Sequence, residues 1–213
     1  MDLQTDKIIL ESARKVFQRS GYGGARMQEI ADKAGISKAS LHYYYRSKDK
    51  LFQTVFRDDI QLFLVPLVDI LRDPSLTLKE RMRTFVGSYI RTLLDNPGLP
   101  LFIMQELSSN PERLVSLVED TVPGTNPLLA VFIRQIENGI EVGECNQVDP
   151  EQFILSMISM CVFPFVGRPL IQLLLRKDEQ EYRDFLAERE KEIMEYLLRI
   201  LFSNHRPSDV PPN

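Results

Sequence analysis

"SKASLHYYYRSK", residues 37–48, sets a histidine and three consecutive tyrosines between Lys38 on one side and Arg46 and Lys48 on the other. So many polar-tipped rings in a row suit neither a core nor an ordinary solvated surface. Ser37 is a good N-cap, so the stretch reads as a short helix over 38–45. At 3.6 residues per turn, Leu41 and Tyr45 share one face, with Tyr44 flanking and Ile36 just ahead. The other face carries two i,i+4 pairs, Lys38 with His42 and Ala39 with Tyr43, and Ser40 lies beside them. The plainer reading puts the rings in a core and leaves the cations solvated. Tyr45 suits it, and Tyr44 can follow, but His42 and Tyr43 fall on the outward side.

That outward side suits a DNA major groove. Ala39 and Ser40 let the helix come close, since a serine can bond either base type and an alanine methyl can meet that of thymine. Tyrosine hydroxyls, imidazole and lysine reach phosphates, which set register. Lys48 falls in the first turn of the next helix, where free N–H groups also favour phosphate.

The flanking sequence supplies a frame for this helix. Ile9, Ala13, Val16 and Phe17 form an amphipathic stripe over 6–19, ended by "SGYGG". A short helix over 27–33 buries Met27, Ile30 and Ala31, and Gly35 makes the turn into the next. Two short helices joined at a glycine turn, the second presenting an outward polar face, make a helix-turn-helix. Ser47 caps a long fourth helix. Further helices are expected at 77–95, 99–109, 111–120 and 126–141, separated by "RDPS", "DNPG", "SNPE" and "VPGTNP", and two long ones at 151–175 and 178–202. The fold class is therefore all-α. The Pro/Ser-rich tail, 204–213, reads as disordered.

Charge divides the chain. Its net charge is −4, yet residues 1–50 carry ten basic and six acidic side chains, a balance of +4 that leaves −8 for the rest. A basic head on an acidic body suggests that only the head meets a polyanion. Two cysteines and two histidines provide neither a disulfide framework nor a metal cluster. There is no glycine-rich phosphate loop and no credible Ser-His-Asp set, so neither catalysis nor a cofactor is expected. A helical binding module without DNA would not need the basic head. The start "MDLQTDKIIL" lacks a signal-peptide pattern, and a cytoplasmic protein is expected. The uncharged run 152–167 is 16 residues long and carries Pro164, followed by Arg168 and Pro169, so a buried helix or subunit interface is expected there rather than a membrane span.

Residues 8–56, "IILESARKVFQRSGYGGARMQEIADKAGISKASLHYYYRSKDKLFQTVF", resemble the DNA-binding domain of TetR-family transcriptional regulators over about a quarter of the chain. The likeness includes Phe17 and the "GY" after it, "EIADKAGISKASL" and "YYRSKDKLF". It implies a homodimer that reads an inverted-repeat operator on double-stranded DNA through a head at 1–47. A body at 48–203 would bind an effector and dimerise. Family DNA contacts carry over to Arg26, Met27, Lys38, Ala39, Ser40, His42, Tyr43, Tyr44 and Lys48. Two departures stand out: "ARM" at 25–27, where the family often has Thr or Ser, and His42, where tyrosine is common.

In the body, Phe85, Tyr89, Phe102, Phe132, Met157, Met160 and Phe163, with Gln105 and Arg168, are the candidates for an apolar or amphipathic effector's pocket. The same apolar residues could equally fill a core. Arg168 could meet an anionic head group or form an intersubunit salt bridge. The nearly heptad-spaced stripe with Tyr182, Leu186, Ile193 and Leu197 is the candidate dimer interface.

Overall fold

The computed structural model describes residues 3–121 and 128–202, and the expectations for 204–213 lie outside them. The described residues form α1 (Leu3–Gly24), α2 (Met27–Ala34), α3 (Lys38–Tyr44), α4 (Lys48–Arg72), α5 (Leu78–Asp95), α6 (Leu99–Ser109), α7 (Pro111–Thr121), α8 (Leu128–Glu141), α9 (Pro150–Val166), α10 (Arg168–Leu175) and α11 (Glu179–Phe202). No strand occurs among them.

The chain divides into two compact units. The first holds α1–α3, α4 as far as Pro66, α6 and α7; the second holds the end of α4, α5 and α8–α11. The motif at the amino end is thus packed together with α6 and α7, which lie some fifty residues further along the chain. The core of the first unit contains Ile9, Val16, Phe17, Ile30, Leu41, Phe52 and Phe56, together with Phe102 from α6. Phe102 packs its ring edge against Phe52 and Phe56 at centroid distances of 5.6 and 5.1 Å. Asp59 lies buried at the border of α1, bonded by Arg14 at 2.6 Å, and burial still holds its carboxyl above the usual range.

In the second unit α11 packs against α5 and α9, and α8 lies against both α5 and α9. Asp178 and Glu181 cap the start of α11 reciprocally, each side chain accepting from the other's N–H at 2.9 Å. The single helix expected over 151–175 is two. It breaks at Gly167, and α9 and α10 are bent by 78°. Pro164 removes one helical donor and Pro169 opens the next helix. A Cβ on Gly167 would meet the Phe163 carbonyl oxygen at 3.1 Å, a tight contact at the bend. No single helix among the described residues is long and apolar enough to cross a membrane.

Candidate DNA-binding surface

Local sequence builds α3. Gly35 ends α2 in the left-handed region at φ 68°, a conformation open to glycine at little cost. Ser37 Oγ accepts from Ser40 N–H at 3.0 Å and so starts α3. Leu41 is the one fully buried residue of the helix. Tyr45, just past its end, is buried too, and its hydroxyl donates to Asp6 at 2.8 Å; burial first, and that bond second, push the phenol's pKa upward. Tyr44 packs partly on the core.

The rest of α3 is open. Lys38, Ala39, Ser40 and His42 are exposed, and Tyr43 is 76 % exposed with its ring edge-on to Tyr44 at 5.8 Å. An aromatic ring left this bare costs hydration free energy unless something covers it in the working complex. Arg26 is exposed at the N-cap of α2 and makes no side-chain cap there, in keeping with the "ARM" departure. Met27 is half-buried against the head core. The structure thus brings Lys38, Ala39, Ser40, His42 and Tyr43 onto one open helix, with Met27 and Tyr44 supporting it from beneath.

Lys48 does not join that surface. Its ammonium donates to the carbonyls of Tyr22 at 2.9 Å and Ala25 at 3.1 Å, and it sits 4.5 Å above the Tyr22 ring. The carbonyls where α1 ends are an electronegative cradle for the cation, which the expected contact with phosphate did not foresee. On the same ring lies Arg113 of α7, with its guanidinium carbon 4.4 Å from the centroid. Arg113 also pairs with buried Glu106 at 2.5 Å and with Asp49 of α4 at 3.7 Å. Sequence reasoning missed this Lys48–Tyr22–Arg113 stack, because its members lie up to 91 positions apart. Arg46, noted beside the rings but given no contact of its own, is exposed beside α3 and has no ion-pair partner among the described residues.

The other candidate sets fare differently. Phe102 and Gln105 lie in the first unit, whereas Phe85, Tyr89, Phe132 and Met157 are buried in the second. Met160 is half-buried and Phe163 is 58 % exposed. Arg168 pairs with Glu179 of its own chain and lies 5.6 Å from the Tyr182 ring centroid. Tyr182, Leu186, Ile193 and Leu197 are at most 2 % exposed, so they cannot be the dimer surface. That stripe packs inward instead, and the Tyr182 hydroxyl donates to the Pro164 carbonyl at 2.7 Å.

Residues 9–55 match the family described as bacterial regulatory proteins, tetR family. The HTH-type transcriptional regulator RutR of Escherichia coli K12 is 30 % identical over 151 residues, which is 70 % of this chain and 68 % of that one. A fatty acid metabolism regulator protein of Bacillus subtilis is 19 % identical over 139 residues, 65 % of this chain and 70 % of that one. Among solved structures, HlyIIR, a hemolysin II transcriptional regulator, superposes with a TM-score of 0.62 at 20 % identity, covering 89 % of this chain and 96 % of that one.

Proposed function

The chain belongs to the TetR family of bacterial regulatory proteins, and from that premise we propose that this DNA-binding regulator is a cytoplasmic homodimeric repressor, released from an inverted-repeat operator by a small apolar or amphipathic effector. The observation that carries the DNA-reading half is the open face of α3: small residues where a groove floor would come close, and a bare Tyr43 beside Lys38 and His42. Arg26 at the start of α2 would add a phosphate contact.

Dimerisation shifts to the side chains that α9 and α11 leave outside. Leu155, Phe163, Tyr196 and Ile200 are all about half-exposed. Between the two helices, Arg189 buries an Nε that has no hydrogen-bond partner among the described residues. A second copy would cover the apolar side chains and could supply that acceptor. Two heads related by a two-fold axis would then read half-sites about 34–36 Å apart, or a multiple of that.

Release would run along α4, which begins beside α3 and continues to Arg72. By linkage, an effector that favours the DNA-incompetent state weakens operator binding, and DNA weakens effector binding equally; coupling of about 1–3 kcal/mol corresponds to roughly 5- to 150-fold. A relative named for fatty acid metabolism supports an amphipathic effector. Selection of bound fragments from random duplexes, followed by titration at several salt concentrations, tests the reading. An enriched inverted repeat with salt-dependent affinity is expected; binding without sequence preference would overturn it.

A further inference from the structure

Arg81 of α5 is wholly buried and has no carboxylate partner among the described residues. Its guanidinium donates to the carbonyls of Ile70 and Leu71 at the end of α4, with the Leu71 bond at 2.7 Å, and to that of Asp73 at 2.6 Å. Its Nε donates to Gln135 Oε1 of α8 at 2.8 Å. The Gln135 amide in turn donates to the Leu76 carbonyl at 3.3 Å. One cation therefore satisfies the carbonyls where α4 ends and ties them to α8. Carbonyls at a helix end have no intrahelical donor, so this is a strong clamp rather than an accident of packing.

Gln135 has a second setting. It lines a cleft of about 700 Å³ between the first turn of α5, the end of α8 and Phe202 of α11. The cleft's far side is the turn after α8, which is firmly built. Glu144 and Cys145 both donate their N–H to the Gly139 carbonyl, at 2.8 and 2.9 Å. A Cβ on Gly139 would come within 2.5 Å of Cys145 Sγ, so a side chain there would force the Cys145 thiol to move. Asn146 then fastens it to α11, donating its backbone and side-chain N–H groups to the Leu201 and Ile200 carbonyls, each at 2.8 Å. Into this preformed space faces Lys79, whose ammonium lies 4.4 Å from the Phe202 ring centroid and has no ion-pair partner among the described residues. Asn138 adds an amide, and Glu144 is the one carboxylate of the lining.

We propose that this cleft is the effector site, that it takes a small aromatic or otherwise apolar molecule bearing one acidic group on Lys79, and that Gln135 and Arg81 pass its occupancy to the end of α4. The inference rests on the reading of the chain as a ligand-responsive regulator. The volume lies within the ~300–1,000 Å³ of small-molecule sites. An acidic group supplies the anion Lys79 lacks, and the apolar body lies against the Phe202 ring. A ligand that draws the Gln135 amide towards itself loosens its bonds to Leu76 and Arg81. The carbonyls that end α4 then lose their fixed position. Arg81 and Gln135 are positioning residues, acting through the helix.

The test uses the full-length protein with 1-naphthoate as probe and uncharged 1-naphthamide as control, followed by calorimetry and by operator titration. Naphthoate is expected to bind at least about tenfold more tightly than the amide, the scale of one charge-assisted contact. Lys79→Gln should remove that difference and Lys79→Arg restore it. Saturating naphthoate should lower wild-type operator affinity by about fivefold or more. Gln135→Leu should still bind DNA and should need more naphthoate to saturate, having lost the amide the ligand draws, but at saturation it should lose the coupling. Should that variant not fold, Gln135→Glu keeps an acceptor for Arg81, loses the bond to Leu76 and carries the same expectation. Naphthoate binding that is absent, or unchanged by Lys79→Gln, overturns the site; binding without any effect on operator affinity overturns the relay. An absence of operator binding before any probe is added would instead count against the regulatory reading itself.

Discussion

The helices α3 and α11 both carry an apolar stripe, and the two stripes teach opposite lessons. In α3 one residue of seven, Leu41, is fully buried, Tyr44 packs partly on the core, and Lys38, Ala39, Ser40, His42 and Tyr43 are exposed. In α11 the stripe itself is the core: Tyr182, Leu186, Ile193, Met194, Leu197 and Leu201 are buried against α5 and α9, and a partner could reach only what lies beside them. A stripe identifies the face a helix hides within its own chain first. The surface free for recognition is its complement.

The comparison is broken most forcefully by placing a charge in the α11 stripe. Ile193→Asp and Leu197→Asp should each destabilise the protein by more than about 4 kcal/mol, since an unpaired carboxylate would enter a packed core. Thermal melting checks this. A folded, monomeric Ile193→Asp variant would mean that the stripe is an interface after all. The complementary change, Phe163→Asp with Tyr196→Asp, should leave the melting temperature within a few degrees and yield monomers at micromolar concentration, since both side chains are already half in water. Analytical ultracentrifugation distinguishes the outcomes; a dimer that persists would move the interface elsewhere.

The same contrast can be sharpened within the head, between a lysine that points out and one that points in. Lys48→Ala should cost about 1–2 kcal/mol of stability, because the Tyr22 and Ala25 carbonyls lose their donor, while the salt dependence of DNA binding stays at its wild-type slope. Lys38→Ala should leave stability within about 0.5 kcal/mol and reduce the salt slope by about 1 per half-site. Melting curves and titrations across a salt series read both. Reversed slopes would mean that the Lys48 ammonium leaves its cradle when DNA binds.

The head was the more legible region, for physical reasons. Ser37, Leu41 and Gly35 act through bonds within four residues, and local sequence determines such bonds. The fold class followed in the same way from helical periodicity and from the prolines between helices. The break at Gly167 was harder to see, because the apolar run crosses Pro164 without a change in composition. Lys48 was assigned to DNA from its place in a first turn, yet the direction of its side chain depends on carbonyls 23 and 26 residues earlier. Arg81 left one trace: it occupies a position on the stripe of Met82, Phe85 and Val86 where a charge is out of place. Its acceptors, from Ile70 to Gln135, emerge only once α4, α5 and α8 have packed. The effector set drew on residues that the fold divides between the two units, Phe102 and Gln105 in the first and the others in the second, and nothing in local sequence shows that division.

The most direct test of the open α3 face is to remove its bare ring. Fluorescence anisotropy with the selected inverted-repeat duplex and a scrambled duplex would compare wild type with Tyr43→Ala at matched salt. The ring is 76 % exposed, so the variant should melt with the wild type. It should bind the inverted repeat about tenfold more weakly, a loss of roughly 1.4 kcal/mol, and discriminate less against the scrambled duplex. A folded Tyr43→Ala protein with unchanged affinity and unchanged discrimination would contradict the assignment of this face to DNA.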